Sequence, residues 1–200
     1  MSPARKFPHR TALLIAVVAA SASVLAGCGK GETGSSSGDT KFVKGTGEIT
    51  KVRTGERKTA PDLSGKTVDG DRLQLSYYKG KIVVLNVWGS WCEPCRGEAP
   101  GLAKVEKETD DKDIQFIGIN TRDLDRANAK SFERNYGVKY PSFFDPSGKL
   151  ILRFPKGSLS PQAIPSTLIL DRKGRIAVRA LTDLSVKQLR SALDPLTAEK

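Results

Sequence analysis

Residues 82–87 (IVVLNV) form a continuous, β-branched, largely apolar run bracketed by Gly80 and Gly89. Such a run reads as a strand buried on both faces, the usual state of a central strand in a parallel sheet. Beyond it stand Trp88-Gly89-Ser90-Trp91-Cys92-Glu93-Pro94-Cys95, then a helical pattern over residues 95–109 with Leu102 and Val105 inward. Pro100 lies inside that helix and is expected to kink it. Residues 114–119 (IQFIGI) read as a second apolar strand. Strand, helix, strand is a βαβ unit, right-handed by default. The chain is therefore α/β, and two of its three cysteines fall where the central strand hands over to a helix.

The rest of the domain follows from turn and cap signals. Residues 65–75 (GKTVDGDRLQL) contain an Asp-Gly turn and read as an N-terminal hairpin. Residues 125–136 read as a helix closed by Gly137, and 140–144 as a short strand. Residues 148–154 fit either strand or helix. Residues 166–170 (STLIL) form a strand, 171–174 (DRKG) a turn, and 175–179 (RIAVR) its hairpin partner. Ser185 caps a last amphipathic helix with Val186, Leu189 and Leu193 on one face. The expected architecture is a central mixed sheet flanked by helices on both sides.

The spacing of Cys92 and Cys95 at a helix start brings both sulfurs to one side, within disulfide reach. Unsatisfied N–H groups and the helix dipole favour a thiolate at Cys92, and the thiolate is the nucleophile. Pro94 costs little there, because early helix positions have no hydrogen-bonded N–H to lose. Glu93, beside the nucleophile, is expected to oppose thiolate formation. A structural staple is a weak reading, since so short a loop restricts the unfolded chain little. An intrachain zinc site of Cys/His type is excluded: after residue 28 there are no other cysteines, and the one histidine is His9. The same absence rules out a Cys-His hydrolase. No metal and no cofactor are expected.

The N-terminus reads as an address. Arg5, Lys6 and Arg10 precede an apolar core at residues 12–20 (ALLIAVVAA), of signal-peptide length and too short to span a bilayer by itself. Extended through residue 26, the stretch also fits an uncleaved anchor. Leu25-Ala26-Gly27-Cys28 resembles the lipobox of bacterial lipoproteins, which implies lipidation of Cys28 as the mature N-terminus. That accounts for the odd cysteine and leaves Cys92 and Cys95 as the pair. The expected organisation is a signal peptide at 1–27, a lipid-anchored flexible linker at 28–59, rich in Gly, Ser and Thr to about residue 47, and one domain at 60–200. The net charge of +11 falls to +8 without Arg5, Lys6 and Arg10, which fits a solvated basic surface and also an anionic envelope. No aromatic-interleaved basic patch points to nucleic acid.

Over residues 60–195 the chain resembles the thioredoxin superfamily, and within it the TlpA/ResA-like extracytoplasmic thiol–disulfide oxidoreductases. The resemblance rests on Ala60-Pro61-Asp62-Leu63, on Gly80-Lys81, on residues 86–95 (NVWGSWCEPC) and on residues 164–171 (IPSTLILD). It implies a thioredoxin-like fold with an extra helix-strand insertion over residues 124–145, in which Cys92 attacks a substrate disulfide and Cys95 resolves the mixed disulfide. It implies that Pro165 is a cis-proline facing the pair, and that Trp91, Ile164 and Pro165 contact substrate. Glu98 matches a helix glutamate that tunes the dithiol in relatives with a CEPC motif. Asn86 stands where thioredoxin has a buried aspartate, and cannot ionise. The lack of histidine argues against copper-delivering relatives, and the lack of Thr-x-x-Cys against a peroxidase. The implied partners are protein disulfide or dithiol substrates, a membrane redox partner, and the membrane itself through the anchor. The expected activity is reduction of protein disulfides, for example in cytochrome c maturation. The alternatives are a disulfide-forming oxidase and a non-catalytic binding module.

Overall fold

A computed structural model describes residues 49–109 and 113–199; the predicted signal, Cys28 and the linker as far as residue 48 lie outside the described residues. The predicted strand is β4 (Ile82–Trp88), buried along its whole length. It leads into α1 (Glu93–Glu108), which returns the chain to β5 (Ile114–Thr121), parallel to β4. Next come α2 (Arg126–Tyr136) and β6 (Ser142–Asp145), the insertion expected over residues 124–145. β7 (Ser166–Leu170) runs antiparallel to β4, β8 (Ile176–Ala180) antiparallel to β7, and α3 (Val186–Ala198) closes the chain. Ser185 opens α3 with a complete capping box to Gln188. With β1 (Ile49–Lys51), the sheet order is β1-β8-β7-β4-β5-β6.

The domain starts earlier than the boundary expected at residue 60. β1 pairs with β8, Ile49 opposite Ala180, and Thr59 bridges Arg175. Arg57 then grips the far end of the chain: its Nη1 and Nη2 donate to the Glu199 carboxylate at 2.6 and 2.7 Å, and Nη1 also to Asp171 at 3.1 Å. A three-residue strand whose partner lies far downstream leaves no local periodicity, so this part of the predicted linker looked unstructured.

The pleat of β4 sorts the core. Val84 and Trp88 face α1, α2 and α3, packing with Leu102, Phe132 and Leu193. Val83, Leu85 and Val87 face the other way, against Leu63, Leu73 and Ile151. All three α-helices among the described residues thus contribute to one face, whereas helices on both faces were expected. The second face is covered by the hairpin β2 (Ser64–Lys66) and β3 (Arg72–Gln74) and by two single 3-10 turns, Leu75–Tyr78 and Ile151–Arg153. The second turn is what the ambiguous segment at 148–154 becomes. Pro155 stops it, because a residue before proline avoids the helical region, and Phe154 is extended at ψ 151°.

Gly118 permits the closest packing on the helix-covered face. A Cβ there would sit 2.3 Å from Ser142 Oγ and 2.6 Å from Trp88 Nε1. Its absence lets the Trp88 indole lie across β5 and stack on Phe132, ring centroids 4.4 Å apart.

Candidate active site

The end of β4 is built to present a rigid loop. A Cβ at Gly89 would fall 2.4 Å from Trp91 Nε1, so only glycine lets that indole fold back and donate to Thr121 O at 3.1 Å. Ser90 is held twice by Asp123: its N–H donates at 2.9 Å and its hydroxyl at 2.5 Å. Asn120 Nδ2 donates to the same carboxylate at 2.6 Å. Arg96 reaches back from α1 to donate to Ser90 O at 2.8 Å. The 89–91 loop is therefore tied to β5 on one side and to α1 on the other.

Cys92 is the N-cap of α1, with Pro94 in the first turn, and the helix begins two residues earlier than predicted. Cys92 Sγ accepts the N–H of Cys95 at 3.2 Å. The two sulfurs form a disulfide, with Cα atoms 5.3 Å apart. Both cysteines are buried, while Trp91 beside them is 42% exposed. This is the N-cap arrangement that stabilises negative charge on the first sulfur once the bond is opened. Glu93 is exposed and its carboxylate is paired with Arg96 Nη1 at 2.9 Å. The expected opposition of Glu93 to a Cys92 thiolate is thereby offset by a neighbouring cation.

Behind the pair lies a buried polar chain. Asn86 Nδ2 donates to Glu98 Oε1 at 2.8 Å and lies 3.2 Å from Thr167 Oγ1; Leu184 N–H donates to Glu98 Oε2 at 3.0 Å. Glu98 stands one helical turn beyond Cys95, on the same side of α1. Burial pushes its carboxyl up to about 7, although the bonds from Leu184 and Asn86 favour the charged form. The Ile164–Pro165 bond is cis. Pro165 immediately precedes β7, whose Ser166 is paired with Val87 one residue before the end of β4.

Sequence reasoning missed three members of this site: Asp123, Arg96 and Arg122. Asp123 stands two residues past the end of the apolar strand β5, and a carboxylate in that position can bind the loops around it. That is the only sequence signal it leaves.

The raised Glu98 carboxyl has a measurable consequence. Its unfolded value is near 4.5 and its folded value about 7. A raised carboxyl stabilises the fold fully below pH 4.5 and loses that stabilisation as pH rises through about 7, here about 3 kcal/mol. Glu133, also pushed up to about 7 by burial, titrates in the same window. Urea unfolding at pH 4.5 and pH 8 will show a larger loss of stability in the native chain than in Glu98→Gln. Glu133 acts in both proteins and cancels in the comparison. Equal pH dependence in the two would contradict this account of Glu98.

Residues 57–179 match the AhpC/TSA family. The thiol-disulfide oxidoreductase ResA of Bacillus thuringiensis (strain Al Hakam) is 29% identical over 140 residues, covering 70% of this chain and 78% of that protein. A DsbF homologue from Corynebacterium diphtheriae matches with a TM-score of 0.71 at 33% identity, over 80% of this chain and 100% of its own. A secreted thiol-disulfide isomerase from Corynebacterium glutamicum matches with a TM-score of 0.73 at 30% identity, over 82% and 100%. The fold is thus shared with proteins of one chemistry, this chain carries a disulfide at the head of α1, and it belongs to the AhpC/TSA family as a thioredoxin-like thiol–disulfide oxidoreductase.

Proposed function

We propose that the protein is a membrane-anchored, extracytoplasmic reductase of protein disulfides, acting through Cys92 and Cys95, for example on cysteines awaiting haem in cytochrome c maturation. The observation that carries the reading is Cys92 as the N-cap of α1, bonded to Cys95 and flanked by exposed Trp91. In the reduced protein, Cys92 thiolate attacks a substrate disulfide. One substrate sulfur leaves as a thiolate and takes a proton, and a mixed disulfide forms. Cys95, losing its proton to Glu98, attacks Cys92 Sγ and expels the second substrate thiol. The substrate gains two electrons, and Cys92–Cys95 is left oxidised. A membrane redox partner returns two electrons to the pair.

Asn86 and Pro94 tune the pair from behind and from the helix start, and Ile164 and Pro165 form the docking edge for an extended substrate segment. Anchoring through a lipid on Cys28 and export by residues 1–27 come from the sequence pattern. The secreted relative supports the extracytoplasmic site. The ResA relative supports exchange with protein disulfides. The second reading, a disulfide-forming oxidase, uses the same atoms in the opposite direction.

An equilibrium titration of the pair against glutathione or dithiothreitol separates the two. A reductase will give a potential near or below about −250 mV, and a value near about −120 mV overturns the proposed direction.

A further inference from the structure

The loop after β5 sets one basic side chain on the rim of the site. Asp123 points inward, 3% exposed, and its carboxylate binds Ser90 and Asn120. Its two neighbours are forced out: Arg122 is exposed, and Leu124 is 91% exposed. Arg122 has a φ of 61°, a left-handed conformation that a non-glycine residue holds only when its surroundings impose it. The inward-turned Asp123, bonded to Ser90 and Asn120, follows it directly.

The Arg122 guanidinium carbon lies 4.4 Å over the Trp91 ring. Trp91 is itself fixed by its bond to Thr121 O and directly precedes Cys92. Among the described residues no carboxylate pairs with Arg122. The nearest in sequence are otherwise engaged: Asp123 with Ser90 and Asn120, and Asp125 capping α2 through the Ala127 N–H. A guanidinium seated on an indole keeps its planar fork of donors while losing little freedom on binding. Its natural complement is a carboxylate, taken by paired, charge-assisted hydrogen bonds.

We propose that Arg122, held on Trp91 beside Leu124, makes this oxidoreductase prefer protein disulfides whose reactive cysteine is flanked by Asp or Glu. The inference rests on dithiol exchange at Cys92 and holds for either direction of net electron flow. The substrate carboxylate docks on Arg122, next to the residue that precedes the nucleophile, and an apolar substrate side chain covers Leu124.

Two disulfide peptides of equal length test this, one with Glu and one with Lys beside the reactive cysteine, reduced by the full chain with dithiothreitol as the terminal reductant. At low ionic strength kcat/KM will favour the Glu peptide about tenfold, mainly through KM. High salt will compress the ratio. Arg122→Asn, a residue that tolerates this backbone conformation, will bring the ratio to about one, and Arg122→Glu will invert it. A ratio near one in the native protein overturns the proposal. So does an unchanged ratio in Arg122→Asn with both peptides equally slowed, the result of a purely structural role. If neither peptide is reduced, the exchange activity itself fails and the preference falls with it.

Discussion

With serine at position 92, disulfide exchange falls to background, a loss of roughly a thousandfold or more. A serine hydroxyl is not ionised near neutral pH and forms no bond equivalent to S–S, so the first step has no nucleophile. Both sulfurs are buried, so the N-cap position is what points to Cys92 as the attacking one: its Sγ already accepts a helix N–H, whereas Cys95 lies inside the first turn. Cys95→Ser therefore behaves differently. It completes the attack and stalls, and the protein accumulates as a covalent adduct with its substrate. Mass spectrometry under non-reducing conditions reads both outcomes. An adduct formed by Cys92→Ser and absent from Cys95→Ser would reverse the two assignments.

Replacing Trp88 by alanine destabilises the fold by about 3–5 kcal/mol. The side chain is 2% exposed, stacks on Phe132, and lies over the one β5 position where a Cβ would collide with it. Truncation leaves a cavity bounded by sheet backbone on one side, which cannot collapse inward. In a domain of this size the melting temperature drops by about 10 °C. Trp88→Phe costs much less, because the indole Nε1 has no hydrogen-bond partner and phenylalanine keeps the stacked face. Urea unfolding of the two variants gives the comparison. A Trp88→Ala cost under 1 kcal/mol, or equal costs for the two, would refute this view of the core.

What could be read from the sequence was what the chain signals locally. The apolar run of β4, the Asp-Gly hairpin, the Ser185 cap and the short spacing of Cys92 and Cys95 each act over a few residues. Ile164 and Pro165 were legible through resemblance, since a proline before a strand is otherwise unremarkable. Glu98 and Asn86 were singled out separately, but their hydrogen bond across α1 and β4 was not. The features that escaped depend on residues distant in sequence. β1 exists because β8 offers it an edge, and the segment at 148–154 stays a single turn because Pro155 ends it. Arg122 looks like any surface cation until Asp123 turns inward and Trp91 folds back beneath it.

The register of β1 decides where the preceding chain meets the sheet. Ile49 lies opposite Ala180, Ala180 opposite Thr167, and Thr167 opposite Asn86, so Ile49 is level with the end of β4 that leads to Cys92. The upstream chain joins the domain at its reactive end, three strands to the side. Any pull on the chain before Ile49 is therefore delivered to that end, through the pairing of β1 with β8. The opposite end, where Arg57 holds Glu199, takes no load from that junction directly.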